Sequence, residues 1–428
     1  MTTQSLRGLE NQGPEHWRGD RGDPGAGGQT AETSFNNFNV AFPGLVGRET
    51  ELTTQQMQAF TDFALQLRYP PNPIRSLDRS LTNDESQGIA ALNVAGTDTV
   101  ESCVGCHSHD ASQGFFGGSD LSTFDAEPQV FKVPHFRNLY QKVGMFGEAQ
   151  PATGSSLPGL GNGVVFTGPF TDTGDQIRGF GFTHDGSVDT VFRFVTAGVF
   201  QLNNAQRNDI EAALMAFDTD VAPVLGQQVT LTSTNGTTVD ARINLLIDRA
   251  GTNFVSKVLT DLNQGSVNEC DLVAKLVDGG KHSGYLYRPS PDDDFLPDDG
   301  GSAISDAALR AKAATSEQEI TYTCVPPGNG HRIALDRDGD GLLNGVETAS
   351  GVFIGNGDTG TRPDKADTDD DGFTDPDEIA QGTDPNDGNS FPGAGTPVPL
   401  LSPLGVAGLV AIMARVALIT SRRKSQES

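Results

Sequence analysis

The chain has 428 residues and a formal net charge of -27, and phosphate repels so acidic a surface, so we expect no nucleic-acid partner. A chain of this length has room for about two or three domains. Residues 290–390 hold 23 Asp and Glu against 6 Lys and Arg, which indicates either a solvated acidic face or hard-cation binding.

The N-terminal part combines an irregular segment with a helix. Residues 1–45 are rich in Gly, Asn, Gln and Pro and are predicted to be irregular. In residues 51–68 the apolar side chains recur at helical spacing, with Met57 on the apolar stripe, where it is expected to be a core residue. Residues 1–20 contain no apolar run of the signal-peptide type.

The sequence Cys103-Val104-Gly105-Cys106-His107 is a C-x-x-C-H motif, the attachment sequence for a c-type haem. Its two thiols can add to the two vinyl groups of one porphyrin, and the adjacent imidazole can bind the iron. The alternative is part of a zinc site, but zinc requires further Cys or His ligands nearby in space. We therefore predict one covalent haem c held by Cys103, Cys106 and His107.

Two cysteines, Cys270 and Cys324, lie outside this motif, and they can form one disulfide in an oxidising compartment. Covalent haem attachment of this type also takes place outside the bacterial inner membrane. Both features predict a periplasmic or cell-surface protein. Because no export signal is visible, we expect this sequence to be the later part of a longer polypeptide or the product of an incomplete gene model.

A capping box at Thr82–Glu85 predicts a helix ahead of the motif, and residues 205–217 predict a closing helix. Between them, the stretch 131–138 (Phe-Lys-Val-Pro-His-Phe-Arg-Asn) and the stretch 181–187 (Gly-Phe-Thr-His-Asp-Gly-Ser) resemble segments of bacterial cytochrome c peroxidases and MauG-type proteins. The resemblance covers about residues 80–220. It implies a cytochrome c domain, but peroxidases of that group carry two haem motifs and this sequence contains one.

The second axial ligand of the haem iron is predicted to be Met145, which lies in a Gly-flanked loop. A thioether ligand opposite His suits electron transfer because it raises the reduction potential. His135, His184 and an open coordination position remain alternatives.

Residues 226–335 are predicted to form a small mixed module. Residues 229–232 indicate a strand, whereas residues 241–250 and 306–314 indicate short helices. No catalytic constellation is recognisable in this segment.

Residues 336–347 and 367–378 both fit the twelve-residue calcium loop, with acids at positions 1, 3 and 5, Gly at position 6 and Glu at position 12. We predict about two calcium ions. The flanking segments are short and rich in Gly and Pro, and the pair resembles thrombospondin type 3 or dockerin-like repeats, which implies a calcium-stiffened stalk. The predicted ligands are Asp336, Asp338, Asp340, Asn344, Glu347, Asp367, Asp369, Asp371, Asp375 and Glu378.

The C-terminal part has an apolar stretch at 400–420, interrupted by Arg415 and followed by a basic cluster at 421–424. Its length suffices for one membrane span with a cytoplasmic end. Together with Val398-Pro399 before it, the arrangement resembles the PEP-CTERM type of sorting signal, which implies either cleavage or permanent attachment to the membrane.

These elements predict a mainly α cytochrome c domain, then a small mixed α/β module, irregular calcium-binding repeats and one C-terminal transmembrane helix. The expected function is electron transfer to a redox partner protein by an exported mono-haem cytochrome on a calcium-binding stalk. The alternatives are a MauG- or peroxidase-like oxidoreductase and a calcium-dependent cell-surface protein. The expected division is an irregular segment 1–45, the cytochrome c domain 46–225, the mixed module 226–335, the calcium repeats 336–388, a linker 389–399, the transmembrane or sorting segment 400–421 and a basic tail 422–428.

Overall fold

The computed structural model of the chain describes residues 5–9, 15–16, 30–94, 96–97, 102–107, 121–122, 131–144, 179, 181–182, 188–255 and 267–393. The chain divides into two compact units, and each is described by itself. The first comprises Met1–Gly280, Leu286–Phe295 and Ser305–Gly330. The second comprises Lys281–Tyr285, Leu296–Ile304 and His331–Ser428.

Three helices form the start of the first unit: α1 (Ala31–Asn36), α2 (Ala41–Leu45) and α3 (Thr54–Leu65). A capping box of Thr53 and Gln56 satisfies donors at the start of α3, where helical backbone amides have no partner within the helix. The helices enclose a small apolar core, and Met57 is buried in it, as the sequence predicts.

Four more helices follow: α4 (Asn83–Leu92), α5 (Cys103–Cys106), α6 (Val191–Phe194) and α7 (Asn204–Met215). The predicted capping box at the start of α4 is confirmed, because the side chains of Thr82 and Glu85 each accept the other's backbone amide. Antiparallel strands β1 (Leu121–Ser122) and β2 (Phe131–Lys132) lie between α5 and α6. Apolar side chains of this part form one core: Ala91, Leu92, Phe136, Leu139, Val191, Val195, Leu202, Ile210, Leu214 and Phe217.

A five-stranded sheet of order β3-β9-β6-β7-β8 follows in the chain. Strand β9 pairs antiparallel with both β3 and β6. The disulfide Cys270–Cys324 is present, which confirms the predicted pairing. The elements are β3 (Gln228–Thr232), α8 (Gly236–Ala250), β4 (Asn253–Phe254), β5 (Val267–Asn268), β6 (Asp271–Asp278), β7 (Lys281–Arg288), β8 (Asp294–Pro297), α9 (Asp306–Ala311), β9 (Gln318–Val325) and α10 (Gly330–Ala334).

The second unit contains the two acidic loops and one further helix, α11 (Asp375–Gln381), which begins inside the second loop. Between the loops the chain doubles back on itself, because the amide of Ala349 donates to the carbonyl of Thr361 and the amide of Gly351 donates to that of Gly360. Helix α11 ends at Gly382, whose φ of 77° is the left-handed conformation that glycine adopts without steric cost.

The predicted fold class is wrong. The chain combines short helices with a largely antiparallel sheet, and the described part of residues 46–225 does not form a mainly α cytochrome c domain. None of the helices in the described part has the length and apolar character needed to cross a bilayer. The segment 400–421, where a transmembrane helix was predicted, lies outside the described residues. Helical periodicity, which predicts α3 and α7, and the capping box, which predicts α4, are local signals that do not determine how the helices assemble.

Helices α4 and α7 approach so closely at Gly88 that a Cβ built there would lie 2.0 Å from the carbonyl oxygen of Asp209 and 2.6 Å from Cβ of Ala213. Glycine therefore permits this crossing of two backbones. Gly44 in α2 is the opposite case, because a Cβ there would meet nothing within 4 Å.

Gly88→Ala is expected to lower the free energy of unfolding by about 1–3 kcal/mol, because the added methyl group overpacks the helix crossing. The loss should occur although Ala favours a helix over Gly by about 1 kcal/mol. Denaturant unfolding followed by circular dichroism measures it, with Gly44→Ala as the control that should lose no stability. Equal unfolding midpoints for both variants would contradict the close crossing.

Candidate functional site

The first acidic loop is built around the carboxylate of Asp336, at position 1. Its Oδ1 accepts a hydrogen bond from the amide of Gly339 at 2.7 Å, and its Oδ2 accepts one from the amide of Gly341 at 3.1 Å. Both glycines have a positive φ, 80° and 102°, which lets the chain turn sharply around the carboxylate. The amides thereby hold the loop in a ring with its acidic side chains brought together.

The second loop repeats both of these hydrogen bonds around Asp367. Its Oδ1 accepts from the amide of Asp370 at 2.8 Å and its Oδ2 from the amide of Gly372 at 3.0 Å. Positions 4 and 6 again have a positive φ, 68° at Asp370 and 98° at Gly372. The equal spacing of acids and turn residues in the two sequences thus gives two equivalent loops.

Position 9 closes each loop. In the first, the Oδ1 atom of Asn344 accepts a hydrogen bond from the amide of Arg337 at 3.0 Å. In the second, the Oδ1 atom of Asp375 accepts one from the amide of Thr368 at 2.8 Å. The side chain of Asn344 is thus engaged with the loop backbone, and its predicted role as a calcium ligand stays a prediction.

Position 12 of each loop is a buried glutamate, Glu347 with 3% of its surface exposed and Glu378 with 0%. A threonine hydroxyl donates to Oε1 of each: Thr361 to Glu347 at 3.2 Å and Thr383 to Glu378 at 3.3 Å. Sequence reasoning missed these threonines. A repeated sequence could have identified them, because Gly-Thr-x-Pro follows each loop, at residues 360–363 and 382–385.

Three clusters of carboxylates bring one oxygen from each member within 4.8 Å of one another. Two of them contain positions 1, 3 and 5 of a single loop. The third combines Asp340 and Glu347 of the first loop with Asp375 of the second, so Asp375 lies beside the first loop as well as in its own. The clusters are Asp336, Asp338 and Asp340; Asp340, Glu347 and Asp375; and Asp367, Asp369 and Asp371.

Six buried carboxylate oxygens in these loops have no hydrogen-bond partner. They fall at the same three positions, 3, 5 and 12, of each loop. Buried polar atoms are almost always satisfied, so this symmetrical set requires a positively charged partner of another kind. The six atoms are Oδ2 of Asp338, Oδ2 of Asp340, Oε2 of Glu347, Oδ2 of Asp369, Oδ2 of Asp371 and Oε2 of Glu378.

The electrostatics of the loops agree with this requirement. Burial, together with the neighbouring Asp338 and Asp340 carboxylates, raises the pKa of Glu347 to about 8. Burial and the carboxylates of the second loop raise the pKa of Glu378 to about 7. Burial also raises the pKa of Asp340 to about 6. Each shift reflects negative charge that burial removes from water and places beside other carboxylates. Hard cations such as calcium prefer this all-oxygen set, so the residues fit the ion predicted from the sequence.

The C-x-x-C-H motif lies on a single helical turn. Cys103 and Cys106 are the ends of α5, and the amide of His107 donates to the carbonyl of Cys103 at 2.9 Å. The Nδ1 atom of His107 lies 2.6 Å from the carbonyl oxygen of Pro134. Since a carbonyl only accepts, Nδ1 carries the proton, and the lone pair of the neutral ring is on Nε2.

The apolar surroundings of the motif fix the imidazole ring further. His107 stacks on Phe136, with ring centroids 4.5 Å apart. Within the described part of the chain, the only clusters of three or more metal-binding His, Cys, Asp or Glu side chains are the acidic ones, so the zinc alternative at Cys103 and Cys106 gains no support.

The alternative axial ligand His135 is engaged in structural hydrogen bonds. Its Nδ1 accepts from the amide of Arg137 at 3.1 Å, so Nε2 carries the proton toward Tyr69 Oη, 3.2 Å away. Burial and nearby cations, Arg137 first, hold the pKa of His135 well below its ordinary value, which keeps the ring neutral. Met145 and His184 lie outside the described residues, and the assignment of Met145 stays a prediction.

Comparison with known protein families finds one family model that matches part of the chain. A profile described as bacterial TSP3 repeat matches residues 336–351 and 367–388. No curated protein and no solved structure matches the chain. The resemblance of residues 80–220 to cytochrome c peroxidases gains no support from these comparisons. The two acidic loops, by contrast, are similar to bacterial TSP3 repeats, a calcium-binding type, as their spacing of acids predicts.

Proposed function

We propose that this chain is a calcium-binding protein of the extracytoplasmic space and that residues 336–378 hold two calcium ions. The observation that carries the proposal is the set of six unpartnered carboxylate oxygens at equivalent positions of two equivalent loops. The match of both loops to bacterial TSP3 repeats supports it. The disulfide Cys270–Cys324 supports the location, because such bonds persist in oxidising compartments.

Calcium suits these loops better than magnesium. Each loop offers acids at positions 1, 3, 5 and 12, and calcium accepts six to eight oxygens in flexible geometry. Magnesium demands a near-ideal octahedron and keeps several of its waters, so it uses only one or two carboxylates. The bound ion would replace the repulsion between buried carboxylates by attraction, so its role is to stabilise the fold of the second unit.

Isothermal titration of the full chain, after treatment with a chelator, is expected to give two calcium ions per chain. Glu347→Gln should remove or strongly weaken one of them, because the amide supplies no negative charge to the ion. Asp377→Asn is the matched control, since this exposed acid also lies in a loop but belongs to none of the clusters. Absence of calcium binding by the folded chain would refute the proposal.

Protons compete with calcium for the position-12 glutamates. The pKa of Glu347 rises from an ordinary value of 4.5 to about 8 in the fold, so the folded chain binds more protons than the unfolded chain between these values. Stability without calcium therefore falls as the pH rises through this window. Calcium requires the deprotonated carboxylate, so calcium affinity changes in the opposite direction and rises with pH.

We expect the melting temperature of the second unit in chelator to decrease from about pH 5 to about pH 8, following the raised pKa values of its buried carboxyls. In saturating calcium this decrease should vanish or reverse. Scanning calorimetry at a series of pH values measures both trends. The slope in chelator should be smaller for Glu347→Gln than for Asp377→Asn, and identical slopes would show that Glu347 does not titrate as described.

As a second function, we propose that Cys103, Cys106 and His107 hold a covalent haem for single-electron transfer. The supporting observation is the hydrogen bond from His107 Nδ1 to Pro134, which directs the lone pair of the ring to Nε2, the nitrogen that would bind iron. Each thiol would add across one vinyl group, with its proton passing to the vinyl carbon, so attachment needs no oxidant. The haem itself would supply the exchangeable electron.

Expression of the chain with an export signal and a cytochrome c maturation system is expected to give one haem per chain that survives a denaturing gel. Cys103→Ala and Cys106→Ala should each weaken this covalent attachment, and the double variant should abolish it, because each thioether needs its own sulfur. Val104→Ala, at a variable position of the motif, is the control that should retain haem. A folded wild-type chain without haem under these conditions would refute this second function.

A further inference from the structure

Asp375 occupies an unexpected place between the two calcium loops. It is position 9 of the second loop, yet one of its oxygens lies within 4.8 Å of carboxylate oxygens of both Asp340 and Glu347 in the first loop. Its side chain is fully buried, with 0% of its surface exposed. A position-9 residue serves its own loop in the ordinary twelve-residue pattern, so the sequence alone assigns Asp375 to the second loop only.

The carboxylate of Asp375 is held firmly by its own loop. Oδ1 accepts from the amide of Thr368 and Oδ2 accepts from the hydroxyl of Thr368, both at 2.8 Å. A carboxylate oxygen has two lone pairs, so each oxygen can still bind a cation. Folding of the second loop thus fixes a negative charge at a defined place beside the first.

The first loop contributes buried carboxylate oxygens to the same cluster. Oε2 of Glu347 has no hydrogen-bond partner although the side chain is only 3% exposed, and it belongs to the same cluster as Asp375. Oδ2 of Asp340 is likewise buried without a partner. A cation among the three carboxylates would replace their mutual repulsion by attraction.

We infer that Asp375 is a ligand of the calcium ion in the first loop, so that the two loops form one coupled two-ion site. This inference rests on the proposed calcium function and deepens it. An ion in the second loop stabilises the already folded backbone that carries Asp375, and this strengthens the first site. By thermodynamic reciprocity the first ion must favour binding of the second to the same extent.

The first loop itself supplies the substitution that tests this inference. At its own position 9 stands Asn344, which makes the same closing hydrogen bond as Asp375. Asp375→Asn therefore retains an acceptor for the amide of Thr368 and removes the charge that faces the first loop. Any effect on the first site is then an effect of that charge and not of a broken second loop.

The test uses the full chain with its second site disabled by Asp369→Asn and Asp371→Asn, so that titration calorimetry with calcium chloride reports the first site alone. Adding Asp375→Asn to this background is expected to weaken calcium binding at least about tenfold, the scale on which neighbours of a metal site act. Adding Asp377→Asn, an exposed acid of the same loop, should leave the affinity unchanged. The background variant should itself bind its one ion more weakly than the wild type binds at the first site.

The possible outcomes separate the two proposals. Wild-type protein that binds no calcium would refute the calcium function. Wild-type protein that binds two ions, with the first-site affinity the same in the presence and absence of Asp375→Asn, would overturn the shared ligand and leave the calcium function intact. If circular dichroism shows that the triple variant is unfolded, Thr368→Val replaces Asp375→Asn. That change removes the hydroxyl that orients Oδ2 of Asp375, and unchanged affinity would again overturn the inference.

Discussion

The burial of carboxylate charge without an opposite charge is the constraint on which the second unit depends. Removing an ionised carboxylate from water costs several kcal/mol, even after the surroundings relax. The chain concentrates three unpartnered carboxylate oxygens in each of its two loops, and the raised pKa values of Glu347 and Glu378 record that cost. No described side chain compensates them, so a bound cation is the natural source of the missing charge. Under the proposed calcium function, formation of the fold and occupation of the loops would be a single equilibrium.

The scaffold around the loops keeps the carboxylates in place by contacts from distant parts of the chain. Gly345 packs against the backbone of Asp298, where a Cβ would lie 2.7 Å from the carbonyl oxygen. Thr359 donates to the carbonyl of Val346, beside Glu347, and Asn386 donates in turn to the carbonyl of Thr359. Because Asn386 follows the second loop and Val346 lies in the first, this chain of hydrogen bonds also ties the two repeats together.

The sequence predicts the parts of this site that depend on local spacing. Acids two residues apart, followed by Gly, form the loop through hydrogen bonds to their own backbone, so Asp336 and Asp367 were found from their pattern. The sequence also predicts the disulfide, because Cys270 and Cys324 are the two cysteines outside the C-x-x-C-H motif. By contrast, Thr361 lies 14 residues beyond Glu347, and its contact depends on how the intervening chain doubles back. The approach of Asp375 to the first loop is likewise tertiary and has no signature in the spacing.

The error in fold class has a similar cause. The sequence analysis predicts one strand of the described sheet, at residues 229–232. Strand β9 carries a similar signal, because Ile320, Tyr322 and Cys324 alternate as the buried residues of a half-exposed strand should. Apolar periodicity predicts α3 and α7 and the capping box predicts α4, but neither signal determines which elements share a core. The motif Cys103–His107 has only five residues and does not determine the fold of the segment around it. The local geometry of the motif is independent of that fold.

The geometry of the loops also indicates what kind of calcium site they form. A sensor works by opening a pair of helices when the ion binds. Here α10 has five residues and α11 has seven, too few to expose a groove of the kind a sensor presents to a partner. The acids are already oriented by backbone amides and by Thr361 and Thr383, so binding can proceed with little rearrangement. At free calcium 100 times the dissociation constant, one such ion stabilises its fold by about 2.7 kcal/mol, a large share of the total for a small unit. Stiffening a segment of chain is therefore the role that this geometry favours under the proposed calcium function.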